Sequence, residues 1–443
     1  MKTPFPSFEI EFTKEGDPFG DSDAVTDKIA RQAPLTDLFV ISHGWNNDLA
    51  DARTLYETFF KRVGEVAKAG IIPGLSQRSF GVLGIYWPSK KFTEKDLIPG
   101  GGSASAAPQN TDAVIRILEE LKNDPVRLGK RSVDAAKAKK IDRAKELLSK
   151  LDDPGAQEEF VAILRAVLQP GAAHAEDASD AFFKSSPKKL FADLDGGVQA
   201  PRAAGGGGAA DVGSGEGAAG IKDLFSGVVG AARRMANFAT YYQMKNRAGI
   251  VGKDGVAKML RAIRKRKPEM GLHLIGHSFG GRVVTAAADA LDANTSKVTL
   301  TLLQAAYSHN GLASKFDGQH DGAFRGLVSK KRASGPIIIT HTKNDKAVGV
   351  AYPLASRLAN AKASAFGTAN DPYGGMGRNG AQFTPEVSAS FDSLRDFGEL
   401  KSTPYDFKPG AIYNLNADQF IKDHSDICKQ EVAAALLSVV LGA

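Results

Sequence analysis

The sequence predicts an α/β fold: a mostly parallel central sheet flanked by helices and broken by one large, mainly helical and partly flexible insertion. Three observations predict it. Apolar runs of strand length alternate with helical stretches towards both ends of the chain, the pattern of a sheet covered by helices. Most of those runs are apolar throughout rather than alternating, as strands buried on both faces are. The rhythm then fails between residues 88 and 248, where the composition changes in character.

The elements follow in order. FEIEF (8–12) alternates strictly and suits a half-exposed edge strand. DLFVIS (37–42) and SFGVLGIYW (79–87) are the next two strands, with a helical pattern over 49–67 between them. In the insertion, PGGGSASAAPQN leads into the charged helical stretches TDAVIRILEELKND and KAKKIDRAKELLSKLDD. PRAAGGGGAADVGSGEGAAG, further on, has the composition of a flexible linker. A structureless stretch of that length does not belong inside a compact core, so 88–248 is expected to be one insertion between core parts 1–87 and 249–443. The remaining strands are LHLIG (272–276), KVTLTLLQA (297–305), PIIITHT (336–342) and AIYNLN (411–416), with helical patterns over 253–267, 279–292, 351–363 and 426–441.

Composition narrows the function classes. With 443 residues, 42% hydrophobic and 24% charged, the chain can bury a large core and has a globular balance. Its longest apolar run, VAAALLSVVLGA, falls short of the roughly 20 residues that span a bilayer and is expected to form a packed terminal helix. MKTPFPSFEIEF lacks the apolar region of a secretory signal, and the single cysteine, Cys428, excludes an intrachain disulfide, so a cytoplasmic location without an integral membrane segment is expected. The net charge of +7 is modest, and the densest basic run, RAIRKRK (261–267), reads as a solvated helix face rather than a nucleic-acid footprint. No HExxH pair or cysteine cluster suggests a metal, and no cofactor is expected.

Two motifs carry chemistry. LHLIGHSFGG (272–281) runs from a strand into a helix, the context of a nucleophile elbow, in which flanking glycines let the backbone turn sharply and Ser278 point outward. The bland alternative is a turn whose serine caps the helix. ISHGWNND (41–48) follows an early strand, where a His-Gly turn can supply a backbone N–H to a developing oxyanion; Trp45 would be one donor and Phe279 the other. Otherwise His43 is simply a packed, hydrogen-bonded side chain. A serine hydroxyl needs a base oriented by a carboxylate. Of eight histidines, only His424 lies after the last strand, where the chain order Ser, acid, His requires the base. Asp345 stands at the carboxyl end of PIIITHT, where sites in open α/β sheets gather; Asp317 and Asp321 compete with it.

Together GHSFGG, SHGW, the aspartate after the penultimate strand and the late histidine resemble the α/β-hydrolase superfamily. ISHGWNN, IYWPS, YYQMKNRAGIVG and LHLIGHSFGGRVV are similar to uncharacterised bacterial and fungal serine-esterase-like hydrolases over roughly residues 1–87 and 237–443. The resemblance implies Ser278 as nucleophile, Asp345 as acid, His424 as base, and Trp45 and Phe279 as oxyanion donors, in a serine esterase or lipase acting on a small-molecule or lipid-like ester. A thioesterase, an amidase or a non-catalytic hydrolase-fold binding protein are the alternatives. The segment from 88 to about 236 departs from the resemblance. Where it returns, Ile221, Leu224, Phe225, Val228, Met235, Phe238 and Tyr242 share one helical face. Its C-terminal half is expected to pack on the sheet, and Leu224, Phe225 and Val228 to line an acyl pocket as a mobile cap.

Overall fold

The computed structural model describes residues 1–45, 47–89, 110–123, 125–128, 130–131, 134–168, 174–177, 179–195, 227–293, 295–345, 347–348 and 373–443. The first core part contains β1 (Ser7–Phe12), β2 (Pro18–Phe19), α1 (Ser22–Arg31), β3 (Asp37–Ser42), α2 (Leu49–Lys68) and β4 (Phe80–Tyr86). The insertion contributes α3 (Asn110–Lys122), a small hairpin of β5 (Pro125–Arg127) and β6 (Lys130–Arg131), α4 (Ala135–Leu147), α5 (Pro154–Val167), α6 (Ser179–Lys184), α7 (Pro187–Asp195) and α8 (Val228–Ile250). The core resumes with α9 (Ala257–Arg266), β7 (Gly271–His277), α10 (Phe279–Asp289), β8 (Val298–Leu303), α11 (Arg325–Ser329), β9 (Ile337–His341), α12 (Met376–Asn379), α13 (Phe397–Ser402), β10 (Ile412–Asn416) and α14 (Gln430–Leu441).

One eight-stranded sheet runs in the order β10-β9-β8-β7-β3-β4-β1-β2. Every neighbouring pair from β10 to β1 is parallel, and only the two-residue β2 runs antiparallel, along the outer side of β1. The alternating strand β1 is therefore next to the edge rather than at it. Strands β3, β4, β7 and β8 bury both faces, and side chains alternate between them with period two. Leu38, Val40, Leu83, Ile85, Leu272, Leu274, Leu300 and Leu302 pack with Ile29 of α1, Leu260 and Ile263 of α9, and Val283 and Val284 of α10. Phe39, Ile41, Val82, Ile275 and Leu303 face the opposite layer, with Phe59 and Phe60 of α2 and Val432, Leu436, Leu437, Val439 and Val440 of α14. The C-terminal run is thus a packed helix. No helix among the described residues is long and apolar enough to cross a membrane.

The connections diverge at the centre. β3 leads through α2 to β4 on one side, whereas β7, its other neighbour, leads through α10 to β8 on the opposite side. Such a reversal leaves a crevice at the carboxyl ends of the two strands, where open α/β sheets hold their sites.

The insertion has its own apolar cluster, in which Val114, Leu118, Leu147, Phe160, Leu164, Phe182 and Leu190 meet Met235, Phe238 and Tyr242 of α8. This corrects the expected sheet packing of that stripe. The neighbouring face of α8, with Tyr241, Met244 and Ala248, is the one that joins the core. A helix wedged between two apolar masses needs two apolar faces, and the spacing of the stripe reveals only one. The boundary expected at 248 also falls inside a helical run, because α8 continues through a π-helical turn (Val251–Val256) directly into α9. Gly252 and Gly255 let that turn press against its neighbours: a Cβ on Gly252 would lie 2.2 Å from the Val283 carbonyl oxygen of the helix after β7, and one on Gly255 2.5 Å from that of Gly16. The helix expected over 351–363 lies outside the described residues.

Candidate active site

Ser278 stands alone between the end of β7 and the start of α10, at φ 57° and ψ −126°. Positive φ is uncommon for a residue with a side chain and persists only where the surroundings impose it. Here the Ser278 N–H donates to the Leu303 carbonyl, and the Ser278 carbonyl accepts from Gly281 and Ala306 N–H, all at 3.0 Å. The flanking glycines are required by space. A Cβ on Gly276 would lie 2.4 Å from the Gly280 carbonyl oxygen, and one on Gly280 2.1 Å from that of Ser42. The Ser278 side chain makes no capping hydrogen bond, so the helix-cap alternative does not hold.

The SHGW turn lies against this serine. A Cβ on Gly44 would come within 2.5 Å of Ser278 Cβ and 3.0 Å of its Oγ, so only glycine lets the two loops touch. His43 holds the turn from beneath. Its Nδ1–H donates to the Gly44 carbonyl at 2.8 Å, its Nε2 accepts from Trp87 N–H at 3.3 Å, and its ring stacks on Trp87 with centroids 5.6 Å apart. The Tyr56 hydroxyl accepts from His43 N–H and donates to the Ile85 carbonyl. Burial pushes the His43 pKa down to about 4, so the ring is a neutral strut: a packed, hydrogen-bonded side chain under the turn that touches Ser278. Asn47 donates to the carbonyls of Gly44 and Trp45, and a capping box of Asp48 and Asp51 starts α2 at once. The Trp45 ring meets Phe279 edge-on at 5.7 Å, which brings together the two residues assigned as oxyanion donors. Phe279 is the first residue of α10, whose first N–H groups have no partner within the helix.

His424 Nδ1–H donates to Asp345 Oδ2 at 2.8 Å, with Asp345 fully buried and the His424 side chain 14% exposed. Asp345 Oδ1 accepts from Val348 N–H at 2.9 Å, so both carboxylate oxygens are occupied. Asp418, two residues past β10, locks the loop that carries Asp345 to the loop that carries His424: it accepts from Thr342 Oγ1 and Lys343 N–H, while Asn344 Nδ2 donates to the Asp418 and Ile421 carbonyls. His424 approaches the elbow through His277, whose Nε2–H donates to the His424 carbonyl at 2.8 Å. The competing acids sit elsewhere. Asp317 pairs with His320 at 2.6 Å on an exposed loop, and Asp321 accepts from Lys315 N–H.

Of the expected pocket residues, Leu224 and Phe225 lie outside the described residues. Val228 opens α8 and packs against the insertion's own cluster, so its apolar contacts belong there. The residue that joins the site from α8 is Tyr241, with its ring 5.4 Å from Phe279. One helical turn on, Lys245 is buried beside Arg282, whose Nε donates to the Lys245 carbonyl; burial and the Arg282 charge push the lysine pKa down to about 7. Sequence reasoning misses His277 and Tyr241 because neither belongs to a catalytic residue pattern. The position of His277 next to Ser278 is the available signal. Among the described residues no group of His, Cys, Asp and Glu is arranged to hold a metal ion. Comparison with protein-family models, curated proteins and solved structures finds no match to this chain.

Proposed function

We propose that this protein is a serine hydrolase of the α/β-hydrolase type, an esterase or lipase that cleaves carboxylic esters through an acyl-enzyme without a cofactor. The observation that carries this is the convergence on Ser278. The serine stands at positive φ at the carboxyl end of a central strand, a glycine turn touches it, and its neighbour bonds the histidine that bonds Asp345.

In this mechanism His424 keeps its proton on Nδ1, facing Asp345, which leaves Nε2 with the lone pair needed to take the Ser278 proton. Ser278 Oγ then forms a bond to the ester carbonyl carbon, and the carbonyl oxygen gains charge that the N–H groups of Trp45 and Phe279 stabilise. Collapse of the adduct breaks the bond to the alcohol oxygen, which leaves with the proton from His424. Water, deprotonated by the same base, attacks the acyl carbon and frees the acid and Ser278. The buried Asp345 carboxylate stabilises the imidazolium in both halves.

The test is Ser278→Ala against short p-nitrophenyl esters and a fluorophosphonate probe. Turnover and labelling should vanish while the melting temperature holds. Turnover or labelling at the parental level in that variant would remove Ser278 as nucleophile and this function with it.

A further inference from the structure

We propose that His277 is a positioning residue that keeps the base in register with the nucleophile, by donating its Nε2–H to the main-chain carbonyl of His424. The inference rests on the hydrolase assignment. His277 is the last residue of β7 and the covalent neighbour of Ser278, so its backbone is fixed by the same turn that sets the nucleophile. Its ring lies 4.9 Å from that of His424, and the hydrogen bond between them is 2.8 Å long. A carbonyl can only accept, so Nε2 carries the proton and Nδ1 carries the lone pair. That Nδ1 is buried and has no hydrogen-bond partner among the described residues.

The orphaned nitrogen is informative. A buried acceptor without a partner is unfavourable, and a leucine at this position would avoid it. What the imidazole supplies is the Nε2–H alone. Asp345 orients the His424 ring at Nδ1, and His277 holds the backbone that carries this ring, on a loop beyond the last strand. The two bonds act on different parts of one residue, and together they set where His424 Nε2 points. Burial, then the neighbouring His424, push the His277 pKa down to about 3. The ring therefore stays neutral when His424 takes up a proton during turnover, and adds no second charge beside the imidazolium.

Three variants test this. His277→Gln keeps an N–H donor near the position of imidazole Nε2, His277→Leu removes it, and His277→Asn is polar but too short to reach. Steady-state kinetics on a short p-nitrophenyl ester should show kcat lowered roughly 10- to 100-fold in the Leu and Asn proteins, as expected for a small misplacement of a reacting group, with KM little changed. The Gln protein should recover most of the loss. The downfield proton resonance of the His424–Asp345 hydrogen bond should shift or broaden in Leu and Asn and return in Gln, a readout that needs no turnover. A parental kcat and resonance in Leu or Asn, or a Gln protein as impaired as Leu, overturns the positioning role. Failure of the hydrolase assignment is read separately, from Ser278→Ala retaining turnover or labelling.

Discussion

Among the described residues three histidines share a hydrogen bond with an aspartate, and their surroundings separate them. His273 and Asp37 pair at 2.9 Å at the amino ends of β7 and β3, fully buried, with Thr299 on the other ring nitrogen and Arg78 on the carboxylate. They close the bottom of the sheet, far from any carboxyl strand end. His320 and Asp317 pair within one exposed turn, where backbone N–H groups of the same loop and His320 hold the carboxyl well below its usual range. Only His424 and Asp345 reach the elbow. Asp345→Asn should keep the packing but favour the wrong imidazole tautomer and lower kcat by up to about 10⁴-fold, as this substitution does in serine triads. Asp317→Asn should leave kcat unchanged. Rates for both proteins on one p-nitrophenyl ester decide it; the opposite pattern would move the acid to Asp317. At this scale chain order is the legible signal, because it excludes His273 and His320 without distances. What it cannot supply is the buried support: the His43 strut, the Asp418 lock and the His277 bond depend on contacts between residues far apart in sequence.

The elements are legible where burial is uniform. All seven runs form strands: FEIEF through its alternation, and the others because a parallel strand covered on both faces shows as a largely apolar stretch. The two-residue β2 and the polar helix α1 escape such a reading, because neither carries an apolar run of its own. The sequence pattern starts a helix at 253, whereas α8, the π-helical turn and α9 form one continuous helical run that passes through Gly249, Gly252 and Gly255. The structure separates their roles. Gly249 has room for a methyl group: the nearest atoms to a Cβ placed there would be 3.8 Å away, on the Arg282 side chain, an ordinary van der Waals contact. Gly252 is pressed against the backbone of α10 at Val283. Gly249→Ala should therefore stabilise the protein by about 0.5–1 kcal/mol, since it lowers the entropy lost on ordering a helix. Gly252→Ala, three residues on, should destabilise it by roughly 3 kcal/mol or more, because a backbone carbonyl cannot step aside. Urea unfolding of the two variants measures both signs; equal effects would mean that the helix crossing is looser than its geometry.

At the scale of the whole molecule, the insertion meets the core where the candidate site lies. Trp45 packs on both the core cluster and the insertion cluster, so the turn that touches Ser278 is also a point of contact between them. Helix α8 makes the same connection along its length, with Phe238 and Tyr242 turned into the insertion and Tyr241 turned to Phe279 at the elbow. Aromatic residues one turn apart on this helix should then have separable effects. Phe238 is packed against Phe182 at 4.9 Å inside the insertion, and Phe238→Ala should lower stability by about 3–5 kcal/mol, the usual loss for a buried phenylalanine. The folded fraction of that variant should keep the parental preference among esters. Tyr241→Ala opens space beside the residues proposed to bind the oxyanion. It should raise KM for longer-chain p-nitrophenyl esters roughly tenfold, the scale of a lost apolar pocket contact, while acetate esters are hydrolysed nearly as before. A chain-length series on the two variants, with melting temperatures taken alongside, separates the roles. Loss of chain-length preference in Phe238→Ala, or equal loss on all esters in Tyr241→Ala, would assign the proposed acyl contacts to the insertion-facing side of α8 rather than to Tyr241.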